Sequence, residues 1–314
     1  VSLFLIKRVG VLVLSMIAAT VVVFTFMAVL PGDPAEIALG VNATPEAVAA
    51  LRARFGTDRP LPVQYLDWVT GLLRGDFGVS YVSETPITPL IADRFAVTSW
   101  LVLFGLIVSL IIAVPLGTAA AVRHRKVSGL LLSGISQAGI AVPAFVAGVG
   151  LLFVFAVSLR VLPSGGFVVP AQDPVGFLRH LILPALSLGL VQGAVLSRYL
   201  RSAVLDVLRE DYLRTARAKG MGPYRALLRH GARNAAIPVI TVLGLQLATL
   251  LIGAVVIERV FTIPGLGSLL LDGVANRDLL LVQGTVMVLV VAVLVINFVV
   301  DVGYLILDPR LRAS

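Results

Sequence analysis

From Val9 to Leu30 the chain runs 22 residues without a charged side chain. Five further stretches are nearly as apolar: Val97–Val122, Val127–Leu159, Leu181–Leu196, Ala235–Ile257 and Leu279–Leu307. A bilayer core about 30 Å thick takes about 20 apolar residues as a helix. Backbone polar groups in lipid must be satisfied within the segment, which favours helices. The pattern therefore predicts an all-α, polytopic membrane protein with six transmembrane helices. Only 13% of residues are charged, against about 25% in soluble domains. The first run exceeds a secretory h-region of about 7–15 residues and reads as a transmembrane helix. Pro115 and Pro143 fall inside the second and third spans, where neighbouring helices can re-satisfy the freed carbonyls. The fourth span is the shortest, and Asn297 and Asp301 end the apolar part of the sixth near Val300.

Charge sets the orientation. With the N-terminus inside, 16 of the 25 Lys and Arg lie on the inner side: Lys7, Arg8, Arg123, Arg125, Lys126, nine from Arg198 to Arg233, Arg310 and Arg312. Twelve of the 17 acids lie outside. The positive-inside rule thus places both termini and the segment 205–234 in the cytoplasm. The net charge of +8 then reports topology and gives no reason to expect nucleic acid. The chain divides into an N-terminus with the first span (1–30), an extracytoplasmic segment (31–96), a core of five spans (97–307) and a cytoplasmic end (308–314).

The segment 31–96 has helical signals of its own. Thr44 is a cap, Pro45 suits the first helical position, Glu46 favours the first turn, and Gly56 suits the stop. A second helix is predicted from about Pro62 to Arg74, with Leu66, Val69, Leu72 and Leu73 on one face and Gly75 at its end. The segment can dock a partner, cover a pore mouth or merely brace the spans. Farther on, Arg160–His180 reads as a turn around Pro163-Ser164-Gly165-Gly166. The run after Pro264 predicts a helix too short to span.

Several chemistries are excluded. There is no cysteine, hence no thiolate ligand or nucleophile. His124, His180 and His230 stand apart, and no His-Glu-x-x-His or Gly-x-Ser-x-Gly motif occurs. None of the three lysines follows phosphate-loop spacing. No catalytic residue, metal ligand or bound cofactor is assigned. Charge is nearly missing from mid-membrane, where channels and secondary transporters usually carry it. The neutral polar residues there are Gln137, Gln192, Gln246 and Asn297. Each can line a translocation path or hydrogen-bond a neighbouring helix.

One stretch is unlike the rest: Asp211 to His230, amphipathic and basic, broken at Gly220-Met221-Gly222-Pro223. It reads as helix, kink, helix, with Pro223 in the second helix's first turn. Leu213, Ala216, Gly220 and Tyr224 lie near one face, with Arg214, Arg217, Arg225 and Arg229 around it. Such a stretch can rest on anionic lipid, anchor topology, or insert in a groove on a soluble partner.

The run Arg214-Thr215-Ala216-Arg217-Ala218-Lys219-Gly220 before Met221-Gly222-Pro223 resembles the cytoplasmic loop of ATP-binding-cassette importer permeases, most nearly their peptide branch. Further matching segments follow in chain order: Pro31-Gly32-Asp33-Pro34, Asp58-Arg59-Pro60-Leu61-Pro62-Val63-Gln64-Tyr65, Arg74-Gly75-Asp76-Phe77-Gly78, Phe261-Thr262-Ile263-Pro264-Gly265-Leu266-Gly267, Asn276-Arg277-Asp278 and Leu307-Asp308-Pro309-Arg310. Two departures stand out. The family's leading Glu is Arg214 here, and its later Ile-x-Leu-Pro falls on His230, Gly231, Ala232 and Arg233. The long first outside segment resembles that of the first of two permeases in dipeptide and oligopeptide importers.

The resemblance implies a type I importer permease fold in a bacterial or archaeal inner membrane. It implies a second permease, two ATPase subunits or one fused ATPase, and an extracytoplasmic binding protein. ATP and Mg would be held by those partner subunits. It places ATPase contact on Arg217, Lys219, Gly220, Met221, Tyr224 and Arg225. The expected cargo is a di- or oligopeptide; nickel and glutathione importers have similar permeases. A stand-alone channel or proton-coupled transporter is the alternative of a different class.

Overall fold

The structure is a computed structural model that describes residues 2–30 and 32–307. Pro31, Asp308-Pro309-Arg310, Arg312 and the rest of segment 308–314 lie outside the described residues. Every element of length is helical: α1 Ser2–Val29, α2 Pro34–Leu39, α3 Pro45–Phe55, α4 Leu61–Leu73, α5 Ile87–Val122, α6 Val127–Ala141, α7 Ala144–Leu151, α8 Pro174–Leu208, α9 Asp211–Ala218, α10 Pro223–Ala226, α11 Ala232–Val260, α12 Leu266–Ala275 and α13 Leu279–Leu307. A π-helical turn prolongs α7 to Ser158, and another, Leu227–Gly231, joins α10 to α11. Among the described residues, five helices are long and apolar enough to cross a membrane, and α6 with α7 makes a sixth if that bent pair is one span.

The chain forms two compact units. Among the described residues, one holds 6–98 and 264–295; the other holds 2–5, 99–263 and 296–307.

In the first unit, local signals build the segment after α1. Asp33 accepts a hydrogen bond from the Ala35 N–H at 2.8 Å and pairs with Arg52, tying the start of α2 to α3. Thr44 caps α3, Pro45 opens it, and Gly56 closes it at φ +72, a left-handed conformation that costs glycine little. α4 departs from expectation at one position of its predicted face. Val69, Leu72 and Leu73, joined by Tyr65, line with α1, Phe77, Phe95 and α13 an apolar cavity of about 740 Å³. Leu66 lies 60% exposed on another side. The Tyr65 and Thr20 hydroxyls meet at 2.9 Å, and the Tyr65 ring stands edge-on to Phe24.

Asp278 ties down the end of this segment. Buried at 1% exposure, it accepts from the Leu281 N–H at 3.3 Å as the cap of α13. It also accepts from the Ser80 hydroxyl and, at 3.3 Å, from the Tyr81 N–H. The Tyr81 ring lies 4.2 Å from that of Phe55. Burial, and then the Asp278 carboxylate, push the Tyr81 phenol up to about 12. α12, the short helix after Pro264, packs Leu266 and Leu269 against Ile87, Ile91 and Leu281.

The second unit is arranged around α8. Asp173 caps it, accepting from the Gly176 N–H at 2.9 Å, and Pro174 opens it, so it begins seven residues before the predicted Leu181. It reaches Leu208 as the most buried of the long helices, although its mean hydropathy of 1.6 is the lowest among them. Being enclosed by protein explains both facts: a helix shielded from lipid can carry Arg179, His180, Arg198 and Arg201 near its ends. Gly189 and Gly193, four apart, bring it close to Val108 and Ile112 of α5, the small-residue spacing of close membrane helix pairs.

The predicted third span is two helices, bent by 96° at Val142-Pro143. Pro143 offers no N–H, and Val142 before it is extended at φ −90, ψ 120. The packing shows how the chain proceeds through the bend. The Ser197 hydroxyl donates to that of Ser136 at 2.8 Å; Gly139 abuts Ala194; Gly148 abuts Ser187. The partner position on α8 keeps descending across the break, as in a single antiparallel passage. A loop that turned back would reverse that order.

Candidate functional site

The basic stretch is built as the sequence predicts, helix, turn, helix, and the turn has a defined geometry. α9 starts with Asp211 and ends with Arg217 and Lys219, charges that suit the helix dipole at each end. Gly220 follows at φ +87. Its N–H bonds the Arg217 carbonyl at 3.0 Å, and the Met221 N–H bonds the Ala216 carbonyl at 3.3 Å. These two bonds with a left-handed glycine make a Schellman motif, whose apolar contact Met221 supplies by packing against the same core as Ala216. Gly222 then caps α10, accepting from the Ala226 N–H at 2.9 Å, and Pro223 opens it.

One side of this unit is sunk into the fold. Leu213 and Ala226 are fully buried, and Ala216 and Leu227 nearly so, in one cluster with Leu196, Leu200, Val204 and Val207 of α8 and Ala235 and Val239 of α11. Burying a leucine of this kind contributes about 1.5–3 kcal/mol. At Gly231 any Cβ would lie 2.8 Å from Val207 and 3.2 Å from Leu213, so the glycine permits close approach there. The Asn234 amide donates to the Tyr212 hydroxyl at 2.8 Å, bracing α9 against α11. α8, α9 and the start of α11 are thus packed as one body.

The other side is open. Arg217, Lys219, Gly220, Tyr224 and Arg225 are exposed, while Met221 is half-buried. Tyr224 does not share the buried face of Leu213 and Ala216: it is 38% exposed, and Ala226 and Leu227 take the inward positions. The Arg214–Asp211 pair, 3.3 Å apart and exposed, adds little stability. Sequence reasoning passed over Asn234 and Gly231, because each acts on a helix that is distant in sequence. A glycine beside a helical run was the only signal for the second.

The four polar span residues sit on four helices. Gln137 on α6 and Asn297 on α13 are exposed, Gln192 on α8 is half-buried, and Gln246 on α11 is buried. No hydrogen bond joins any two of them among the described residues. The Gln246 side-chain oxygen has no partner there.

Comparison with known proteins agrees with this architecture. Residues 113–313 match the family model described as binding-protein-dependent transport system inner membrane component, and residues 1–102 match the N-terminal model of such membrane components. The glutathione transport system permease protein GsiC of Salmonella typhimurium is 40% identical over 98% of both chains, and GsiC of Escherichia coli is equally similar. The MetNI methionine ABC transporter in inward-facing form shares the fold, with a TM-score of 0.57 and 16% identity over 70% of this chain and 96% of that one. The chain therefore belongs to the inner-membrane permeases of binding-protein-dependent ATP-binding-cassette importers: a multi-pass, non-catalytic transport subunit of the peptide and glutathione branch.

Proposed function

We propose that this chain is the first of two permeases in an importer of di- or oligopeptides, and that its loop from Asp211 to His230 is where ATPase subunits grip it. The observation that carries the reading is the loop's two-sided construction. A Schellman turn and an exposed rim of Arg217, Lys219, Tyr224 and Arg225 stand on a base of Leu213, Ala216 and Leu227 packed into α8 and α11. Arg and Tyr are frequent anchors of protein interfaces. Because the base is shared, a push on the rim is passed to both helices.

Family membership implies an ATPase, a partner permease and a binding protein. In this reading the two permeases form a heterodimer, and each offers its loop to one ATPase subunit or to half of a fused one. Positive-inside charge supports a cytoplasmic position for the loop and both termini. ATP binding can drive the spans only if it favours one of their arrangements over the other. Gln137, Gln192, Gln246 and Asn297 are the proposed path residues, and the segment 31–96 is the proposed docking surface for the binding protein. Glutathione is the second reading of the cargo, favoured by the 40% identity to permeases of that name.

The test is reconstitution of the whole transporter in vesicles. Competition by unlabelled dipeptide, oligopeptide, glutathione and nickel against binding-protein-dependent uptake identifies the cargo. Uptake that is competed by no peptide, glutathione included, sinks the substrate reading. Gly220→Pro should abolish uptake while ATP hydrolysis persists; normal uptake by that variant removes the coupling role.

A further inference from the structure

A second feature of the loop adjoins its rim at Arg217. A cavity of about 390 Å³ opens between the α5–α6 connection, the end of α8 and α9. Arg125 and Lys126 line it from the connection, Arg209 from the end of α8, and Arg214 and Arg217 from α9. His124 completes the ring, its Nδ1 held 2.8 Å from the Ala121 carbonyl. Among the described residues, no carboxylate lines the space. Of the acids nearby, Asp211 pairs with Arg214 at 3.3 Å, and Asp206 and Glu210 are exposed and outside the lining. Arg125, Lys126, Arg209 and Arg217 have no ion-pair partner among the described residues.

Like charges gathered in a concavity repel one another unless an anion lies among them. The volume is that of a small-ligand site, about 300–1,000 Å³. The remaining wall is apolar: the span ends at Val122 of α5 and Leu205 and Leu208 of α8, with Pro223 of α10. A ligand that suits both halves is a phosphodiester with acyl chains attached. We propose that this cavity holds the headgroup phosphate of an anionic phospholipid, with the chains leaving over Val122 and Leu205. Basic pockets between helices on the cytoplasmic side are suited to such headgroups. The inference uses the cytoplasmic orientation argued above and does not depend on the identity of the cargo. Its consequence is that Arg217 is shared between the lipid cavity and the rim, so the inner leaflet bears directly on the coupling helix.

The test uses the complete transporter in phosphatidylcholine vesicles with or without phosphatidylglycerol, gently extracted, with retained lipid counted by native mass spectrometry. Wild type should retain phosphatidylglycerol in preference to phosphatidylcholine, and less of it as salt rises. Arg125→Gln, Lys126→Gln and Arg209→Gln should each weaken retention about fivefold, the worth of one basic residue at an anionic surface. Arg125→Lys with Arg209→Lys should keep it, which separates charge from misfolding. Equal retention in the triple Gln variant overturns the proposal. Displacement by inorganic phosphate overturns the lipid assignment in favour of a free anion. Loss of the ATPase subunit from the triple variant with lipid retention unchanged makes the cavity a protein contact, and also overturns it. A chain that binds no ATPase at all would defeat the coupling reading but leave the lipid count as predicted.

Discussion

Gly220 is held at φ +87 by hydrogen bonds on both sides, yet beyond its chain neighbours no atom among the described residues lies within 4 Å of where a Cβ would stand. Its requirement is therefore conformational, and substitutions should rank by backbone preference and not by size. Asn, which visits the left-handed region readily, should nearly match glycine; Ala should cost about 1–2 kcal/mol; Val and Pro should break the turn. Uptake measured for the four variants checks the order, and an Ala variant worse than Val would refute it. Leu213 makes the opposite case. It is fully buried, so Leu213→Ala should destabilise by about 2–5 kcal/mol, read as a lower unfolding midpoint. Tyr81 gives a pH signature. Its phenol sits at about 12, above the ordinary 10. The stability it contributes is then complete below pH 10 and lost as pH rises through 12. The difference in phenolate absorbance between wild type and Tyr81→Phe should titrate near 12; a midpoint at 10 contradicts its burial beside Asp278. Much at this scale was legible in the sequence. Thr44, Pro45, Gly56, Gly220 and Pro223 signal through their own backbone chemistry. Tyr81 and Asp278 were not legible in that way, because the contact joins residues nearly two hundred positions apart.

The helices show where local reading stops. Ala113-Val114-Pro115 and Ala141-Val142-Pro143 are the same tripeptide. The first lies inside the continuous α5, and the second sits at a 96° bend. Packing makes the difference. Just past Pro115, Gly117 is pressed against Ser197 and Leu200 of α8, whereas α6 and α7 each find their own contacts on α8. The chain has no cysteine, so paired cysteines can test the single-passage register directly. Ser136→Cys with Ser197→Cys, and Gly148→Cys with Ser187→Cys, should both form disulfides. A retracing loop would cross-link only the first pair. α8 was the least legible helix, because hydropathy detects contact with lipid and this helix mainly contacts protein.

For the whole molecule, the six apolar runs, the basic loop and its kink were readable from composition and spacing. The second half of the site was not, since Leu213, Gly231 and Asn234 acquire their roles only when α8, α9 and α11 come together. The central claim is that the exposed rim of the loop meets an ATPase on the cytoplasmic side. A photo-cross-linker placed at Tyr224 of the assembled transporter in sealed vesicles tests it most directly, with Arg277, on the predicted outer side, as the control position. The probe at Tyr224 should capture the ATPase subunit, and the probe at Arg277 should not. Capture of lipid alone at Tyr224, or of the binding protein there, would contradict the account.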